Sequence, residues 1–148
     1  MKNLKNYKSY KISENKQTDG EIHELCRKYN IENYTINEDK SIDVDGDVDL
    51  YNKGLSKLPL KFRHVKGDFD CSDNNLITLE GAPKTVVGNF YCQTNELLSF
   101  KYFPLISGYI LFLSNPIFEK WQKFPKRMIK SDYIRMMKRK EVLNEILE

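Results

Sequence analysis

Apolar and polar positions between residues 46 and 117 follow a pattern that returns about every 21 residues. Four copies align: Val48-x-Leu50-x-x-Lys53-x-Leu55, Phe69-x-Cys71-x-x-Asn74-x-Leu76, Phe90-x-Cys92-x-x-Asn95-x-Leu97 and Ile110-x-Phe112-x-x-Asn115-x-Ile117. A glycine precedes each, and Gly46, Gly67, Gly88 and Gly108 lie 21, 21 and 20 residues apart. Two apolar residues flanking a polar one predict a short strand whose alternate side chains point inward. The Asn sits where the chain turns, and stacked side-chain amides there can bond the backbone groups that the turn leaves unpaired. One coil cannot bury its own apolar face, so several must stack into a continuous core and a parallel sheet. A period of 21 leaves no room for a helix on the return path, and Leu79-Glu80-Gly81-Ala82-Pro83 predicts a turn and an extended or 3₁₀ segment.

The flanks read differently. Residues 1–17 are polar and Lys-rich and predict a tail. Thr18-Asp19-Gly20-Glu21 matches a capping box, and Ile22, Leu25, Cys26 and Tyr29 follow at helical spacing. Tyr34-Thr35-Ile36, a polar turn over residues 37–40, and Ile42-Asp43-Val44 predict a hairpin entering the first coil. Asn115-Pro116 predicts a helix start that carries Ile117, Phe118, Trp121 and, as a further candidate, Phe124, and that Pro125 stops or kinks. Ser131 predicts the cap of a second helix, with Ile134, Met137, Leu143, Ile146 and Leu147 on its apolar side. These helices are expected to shield the last coil. The expected organisation is one compact unit: a tail, helix and hairpin over 1–45, a solenoid over 46–117, and a basic helical cap over 118–148.

The copies fit L-x-L-x-x-N-x-L, the heart of the leucine-rich repeat. The stretch IDVDGDVDLYNKGLSKLPLKF and the stretch GDFDCSDNNLITLEGAPKTVVGNFYC resemble the short leucine-rich-repeat proteins of bacteriophages and some bacteria. The resemblance covers roughly residues 31–117, and its C-S-x-N-x-L-x-x-L-E-G-x-P pattern is matched best by the second copy. The third copy has Phe100-Lys101-Tyr102 where Leu-Glu-Gly would stand. The expected fold is thus an α/β solenoid, a short leucine-rich-repeat-like parallel sheet of about four coils, capped by the N-terminal helix and hairpin and by C-terminal helices. The resemblance implies a non-catalytic scaffold and supplies no catalytic residues.

Composition narrows the chemistry. With 148 residues, 40 % apolar and 12 % aromatic, the chain can support a core. No run of 18 apolar residues and no signal-peptide pattern is present, so a cytoplasmic location is expected, the host cytoplasm for a phage protein, with no membrane partner. Cys71 and Cys92 fall on stacked inward positions and Cys26 on a helix face, where each reads as a small buried hydrophobe. No spacing of Cys and His supplies four zinc ligands. Asp43, Asp45, Asp47 and Asp49 suggest a cation site, but the sixth and twelfth positions of a calcium loop counted from Asp43 are Val48 and Gly54, not Gly and Glu. His23 reads as part of the polar side of the first helix and His64 as part of a return path, and no phosphate loop or metalloprotease motif accompanies them. No enzyme, metal or cofactor is expected.

The outward face of the repeat strands is the candidate site. Asp47, Asp68, Asn89 and Tyr109 form one row, Asp49, Asp70, Tyr91 and Leu111 the next, and Tyr51, Ser72, Gln93 and Leu113 the third. Acidic at one end and aromatic at the other, this face is expected to bind another protein, chiefly through Asp47, Asp49, Tyr51, Asp68, Asp70, Asn89, Tyr91, Gln93 and Tyr109. The net charge of +3 is unevenly spread: residues 38–80 hold ten acidic and six basic side chains, and residues 116–148 hold nine basic and five acidic. The alternative partner is therefore nucleic acid, met by Lys126, Arg127, Lys130, Arg135, Lys138 and Arg139. A structural component of an oligomeric assembly is a further reading.

Overall fold

The computed structural model describes residues 16–119 and 128–129. It begins with helix α1 (Asp19–Lys28), whose capping box forms as the sequence requires. Glu21 N–H donates to Thr18 Oγ1 at 3.2 Å, and the Thr18 N–H donates to Glu21 Oε2 at 2.7 Å. Ile22 and Cys26 are buried, with Leu25 and Tyr29 half-buried beside them. A hairpin of β1 (Tyr34–Ile36) and β2 (Ile42–Val44) follows, paired antiparallel.

From β2 the chain winds as a parallel-strand β-solenoid. Each coil has two short strands joined at a corner that contains glycine: β2 leads to β3 (Val48–Asp49), β4 (Phe62–Val65) to β5 (Phe69–Asp70), β6 (Thr85–Val86) to β7 (Phe90–Tyr91), and β8 (Leu105–Ile106) to β9 (Tyr109–Leu111). The strands stack into two sheets. Sheet I has the order β1-β2-β4-β6-β8; sheet II has the order β10-β9-β7-β5-β3, where β10 (Met128–Ile129) pairs antiparallel with β9.

Two expectations are corrected here. One parallel sheet was expected, and there are two, because the residues before each glycine form strands of their own. About four coils were expected, yet three return segments link the four strand pairs, so the solenoid makes about three turns. The returns contain no helix, as a 21-residue period requires, so the coils themselves are β and not α/β.

Register places like residues in columns. Val48, Phe69, Phe90 and Ile110 align inward in sheet II, and Val44, Val65, Val86 and Ile106 do so in sheet I. Phe69 and Phe90 have no exposed surface and stack at 5.5 Å with an interplanar angle of 10°. Phe62 meets Phe69 edge-on at 5.0 Å. Burying each such ring stabilises by about 1.5–3 kcal/mol. Cys71 and Cys92 are fully buried in the next column, where desolvation pushes both thiols well above their ordinary range. They are therefore packing groups and not nucleophiles.

The buried Asn column joins the coils. Asn95 Nδ2 donates to Cys71 O at 2.9 Å and Cys92 O at 3.2 Å, and its Oδ1 accepts from Leu76 N–H at 3.0 Å. Asn74 and Asn115 act alike, each serving its own turn and the coil before it. This explains Lys53. No coil precedes the first one, so its position has no backbone group to serve.

The residue before each ladder position adopts left-handed backbone: Asn52, Asp73, Thr94 and Ser114 have φ of 50°, 53°, 54° and 55°. Asn and Asp tolerate this region, whereas a β-branched residue is strained there. Thr94→Asn is expected to stabilise the protein by about 1 kcal/mol, read as a higher urea midpoint with an unchanged slope. An unchanged midpoint would contradict the strain.

The C-terminal end is described in part. Pro116–Glu119 forms a single helical turn, α2, at the predicted start. The expected second helix from Ser131 lies outside the described residues. The exposed edge of β9 is met by β10, a strand and not a helix. Among the described residues, no helix is long and apolar enough to cross a membrane.

Candidate binding surface

The outward rows of sheet II are in the predicted register. Asp49, Asp70, Tyr91 and Leu111 are neighbours across β3, β5, β7 and β9. Their surroundings, however, show that several of them also hold the fold together. Asp47 Oδ1 accepts the Asp68 N–H at 2.7 Å, Asp68 Oδ1 accepts the Asn89 N–H at 2.7 Å, and Asn89 Oδ1 accepts the Tyr109 N–H at 3.1 Å. The first row is thus a corner ladder in which each side chain caps the next coil. In the second row Asp49 Oδ1 accepts the Tyr51 N–H, and Asp70 Oδ1 accepts both the N–H and the hydroxyl of Ser72. Ser72, expected to face outward, is buried, because its hydroxyl turns to Asp70.

The aromatic end is a pair. Tyr91 and Tyr109 lie edge to face with centroids 5.7 Å apart, and their hydroxyls are 2.8 Å apart. The bond to Tyr109, together with partial burial, pushes the Tyr91 phenol up to about 12. The Tyr91 hydroxyl therefore stays neutral in ordinary buffers and presents a donor and an acceptor rather than charge. Tyr51 is half exposed at the acidic end, and Gln93 is half-buried between the two ends.

The alternating carboxylates of the first coil are used separately. On sheet I, Arg63 holds Asp43 in a bidentate pair, Lys66 Nζ lies 3.1 Å from Asp45, and Lys61 Nζ lies 2.9 Å from Asp39. The Arg63 hydrogen bond holds the Asp43 carboxyl below its usual range, and the Ser41 hydroxyl, with Lys61, does the same for Asp39. Asp47 and Asp49 turn instead to the sheet II caps. The four residues therefore do not converge, and among the described residues no group of three or more His, Cys, Asp or Glu could hold a metal ion.

His64 lies in β4 and not on a return path, exposed on sheet I with Nδ1 2.6 Å from Thr85 Oγ1. His23 is exposed on α1, with Nδ1 2.5 Å from the Tyr34 hydroxyl. Lys126, Arg127, Lys130, Arg135, Lys138 and Arg139 lie outside the described residues.

A groove of about 880 Å³ was not anticipated. It crosses the return segments beside sheet I, with Leu58, Leu60, Phe62, Ala82 and Phe103 among its lining and Gln17 at one side. Gln17 Nε2 donates to Pro59 O at 2.9 Å. The signal available in the sequence was the recurrence of Leu58-Pro59, Ala82-Pro83 and Phe103-Pro104, one apolar-Pro step per return. No protein-family model, curated protein or solved structure matches this chain.

Proposed function

We propose that this chain is a small leucine-rich-repeat-type module, phage-related and cytoplasmic, that binds another protein through the outer face of sheet II and catalyses no reaction. The observation that carries this reading is the registered row Asp49, Asp70, Tyr91 and Leu111, which grades from carboxylate to phenol to aliphatic across four parallel strands. A rigid, graded surface of this kind discriminates partners by charge at one end and by aromatic packing at the other. The corner ladder beneath it fixes the side chains before a partner arrives, which lowers the entropy lost on binding.

The test must remove recognition without removing the caps. Asp49→Asn and Asp70→Asn keep the acceptor oxygens that hold Tyr51 and Ser72, and Tyr91→Phe keeps the ring. The triple variant is expected to fold as the parent does and to lose at least about tenfold of its partner in quantitative affinity purification from the native host. Equal recovery of every partner by parent and variant would rule out this face.

A further inference from the structure

We infer that the groove beside sheet I is a second recognition site, and that its ligand is an extended peptide segment carrying both carboxylates and apolar side chains. The site lies on a different wall from the outer face of sheet II and does not depend on it. Its floor is apolar: Leu58, Leu60 and Phe62 alternate along one extended return and are 7 %, 3 % and 2 % exposed. Tyr102 and Leu105 stay 43 % and 62 % exposed at one end, which is unusual for side chains of this size in a concave surface.

The rim is basic. Lys57, Lys61 and Lys84 line it against one acid, Glu80. Lys61 is occupied by Asp39, but among the described residues Lys57 and Lys84 form no ion pair, and both are exposed. Two unengaged ammonium groups over an apolar floor complement a ligand whose carboxylates flank apolar side chains. The shape favours an extended segment. The lining runs across successive returns from Lys57 to Leu105, and at that end it reaches β8, one outer strand of sheet I among the described residues. Residues 1–15, which precede Gln17 in the sequence, are no match for such a ligand site: they carry four lysines and one glutamate, a charge that the rim repels.

Fluorescence anisotropy on the full chain tests this, at about 0.15 M salt so that loose charge attraction is screened. The probes are a labelled ten-residue peptide alternating Glu with Leu and Phe, the same peptide with Lys for Glu, the same with Ser for the apolar residues, and a ten-nucleotide oligothymidylate. The acidic apolar peptide is expected to bind at least about tenfold more tightly than the other three. Lys57→Glu with Lys84→Glu is expected to weaken it about tenfold and to improve binding of the Lys peptide. Lys28→Glu with Lys53→Glu makes the same change of net charge away from the groove and is expected to leave binding unchanged, as is the sheet II triple variant. Equal loss in the two lysine pairs, or an acidic apolar peptide that binds no better than the Lys peptide, the Ser peptide or the oligonucleotide, would overturn the assignment. Loss of binding in the sheet II variant alone would place the ligand on the other wall and overturn it equally.

Discussion

Asn95→Ala is expected to destabilise the protein by about 2–3 kcal/mol, measured as the loss of unfolding free energy in urea. The side chain is 5 % exposed and makes bonds at both of its ends. Its removal strands the Leu76 N–H within the stack and takes one of two amide donors from each of the Cys71 and Cys92 carbonyls, which Asn74 and Asn115 still serve. A buried polar group left without a partner costs about 1–3 kcal/mol, well above what a made hydrogen bond contributes. Lys53→Ala is the internal control. It occupies the equivalent position of the first coil, is exposed, and has no preceding coil to serve. That variant is expected to change stability by less than about 0.5 kcal/mol. A difference of under about 1 kcal/mol between the two variants would show that the Asn column is incidental to stability.

Gly88→Ala carries the second large effect. The reason is space and not backbone freedom. A Cβ at Gly88 would lie 2.2 Å from Asp68 Oδ1, 2.6 Å from Gly67 O and 2.7 Å from Gly67 C. The last two are backbone and cannot swing away. Gly88 N–H already donates to that carbonyl at 3.0 Å, and Asp68 Oδ1 holds the Asn89 N–H, so relief means opening both bonds at once. Overpacking a well-filled site costs about 1–3 kcal/mol, and the broken corner adds to that. For a chain of this size the melting temperature should fall by about 6–12 °C. Gly20→Ala, in the first turn of α1 with its nearest contact at 3.9 Å, should be neutral or slightly stabilising. Comparable melting temperatures for Gly88→Ala and the parent would mean that the coils are free to separate at this corner.

The two variants mark where sequence reading succeeds and where it stops. The Asn column was legible because Asn74, Asn95 and Asn115 recur with the apolar positions that define the period. Phe69, Phe90, Cys71 and Cys92 were legible as inward columns for the same reason. The glycines were visible as a regular mark, but their purpose was not: only the stack shows that Gly67, Gly88 and Gly108 each lie against the carbonyl of the one below. Beyond the predicted hairpin of β1 and β2, sheet I escaped notice because its strands share little, Thr85-Val86 and Leu105-Ile106 having only a branched inward residue in common. A register shift between Ile42 and Asp43 against β4 blurs the period further. Alternation placed the row of Asp49, Asp70, Tyr91 and Leu111 in register but put Ser72, which is buried, on the outside, and it cannot tell a carboxylate that awaits a partner from one that caps the next coil. Asp68 and Asn89 belong to the second kind. The groove depends on how the returns lie over one another, and those segments hold the least regular part of the sequence.

The two side-chain ladders run in opposite senses along the solenoid. Corner residues reach forward along the stack, Asp47 to the Asp68 amide, Asp68 to the Asn89 amide and Asn89 to the Tyr109 amide, while turn asparagines reach back by one period. Each interior coil therefore receives from both neighbours and gives to both, and any interior coil can replace another without orphaning a backbone group. Excising residues 67–87 would bring Asp47 to the Asn89 amide and Asn95 to the amides now held by Asn74. The middle of the molecule is thus a unit that gene duplication can copy or drop whole. Only the ends, where no described coil lies behind Lys53 and β10 pairs with β9, are fixed in kind.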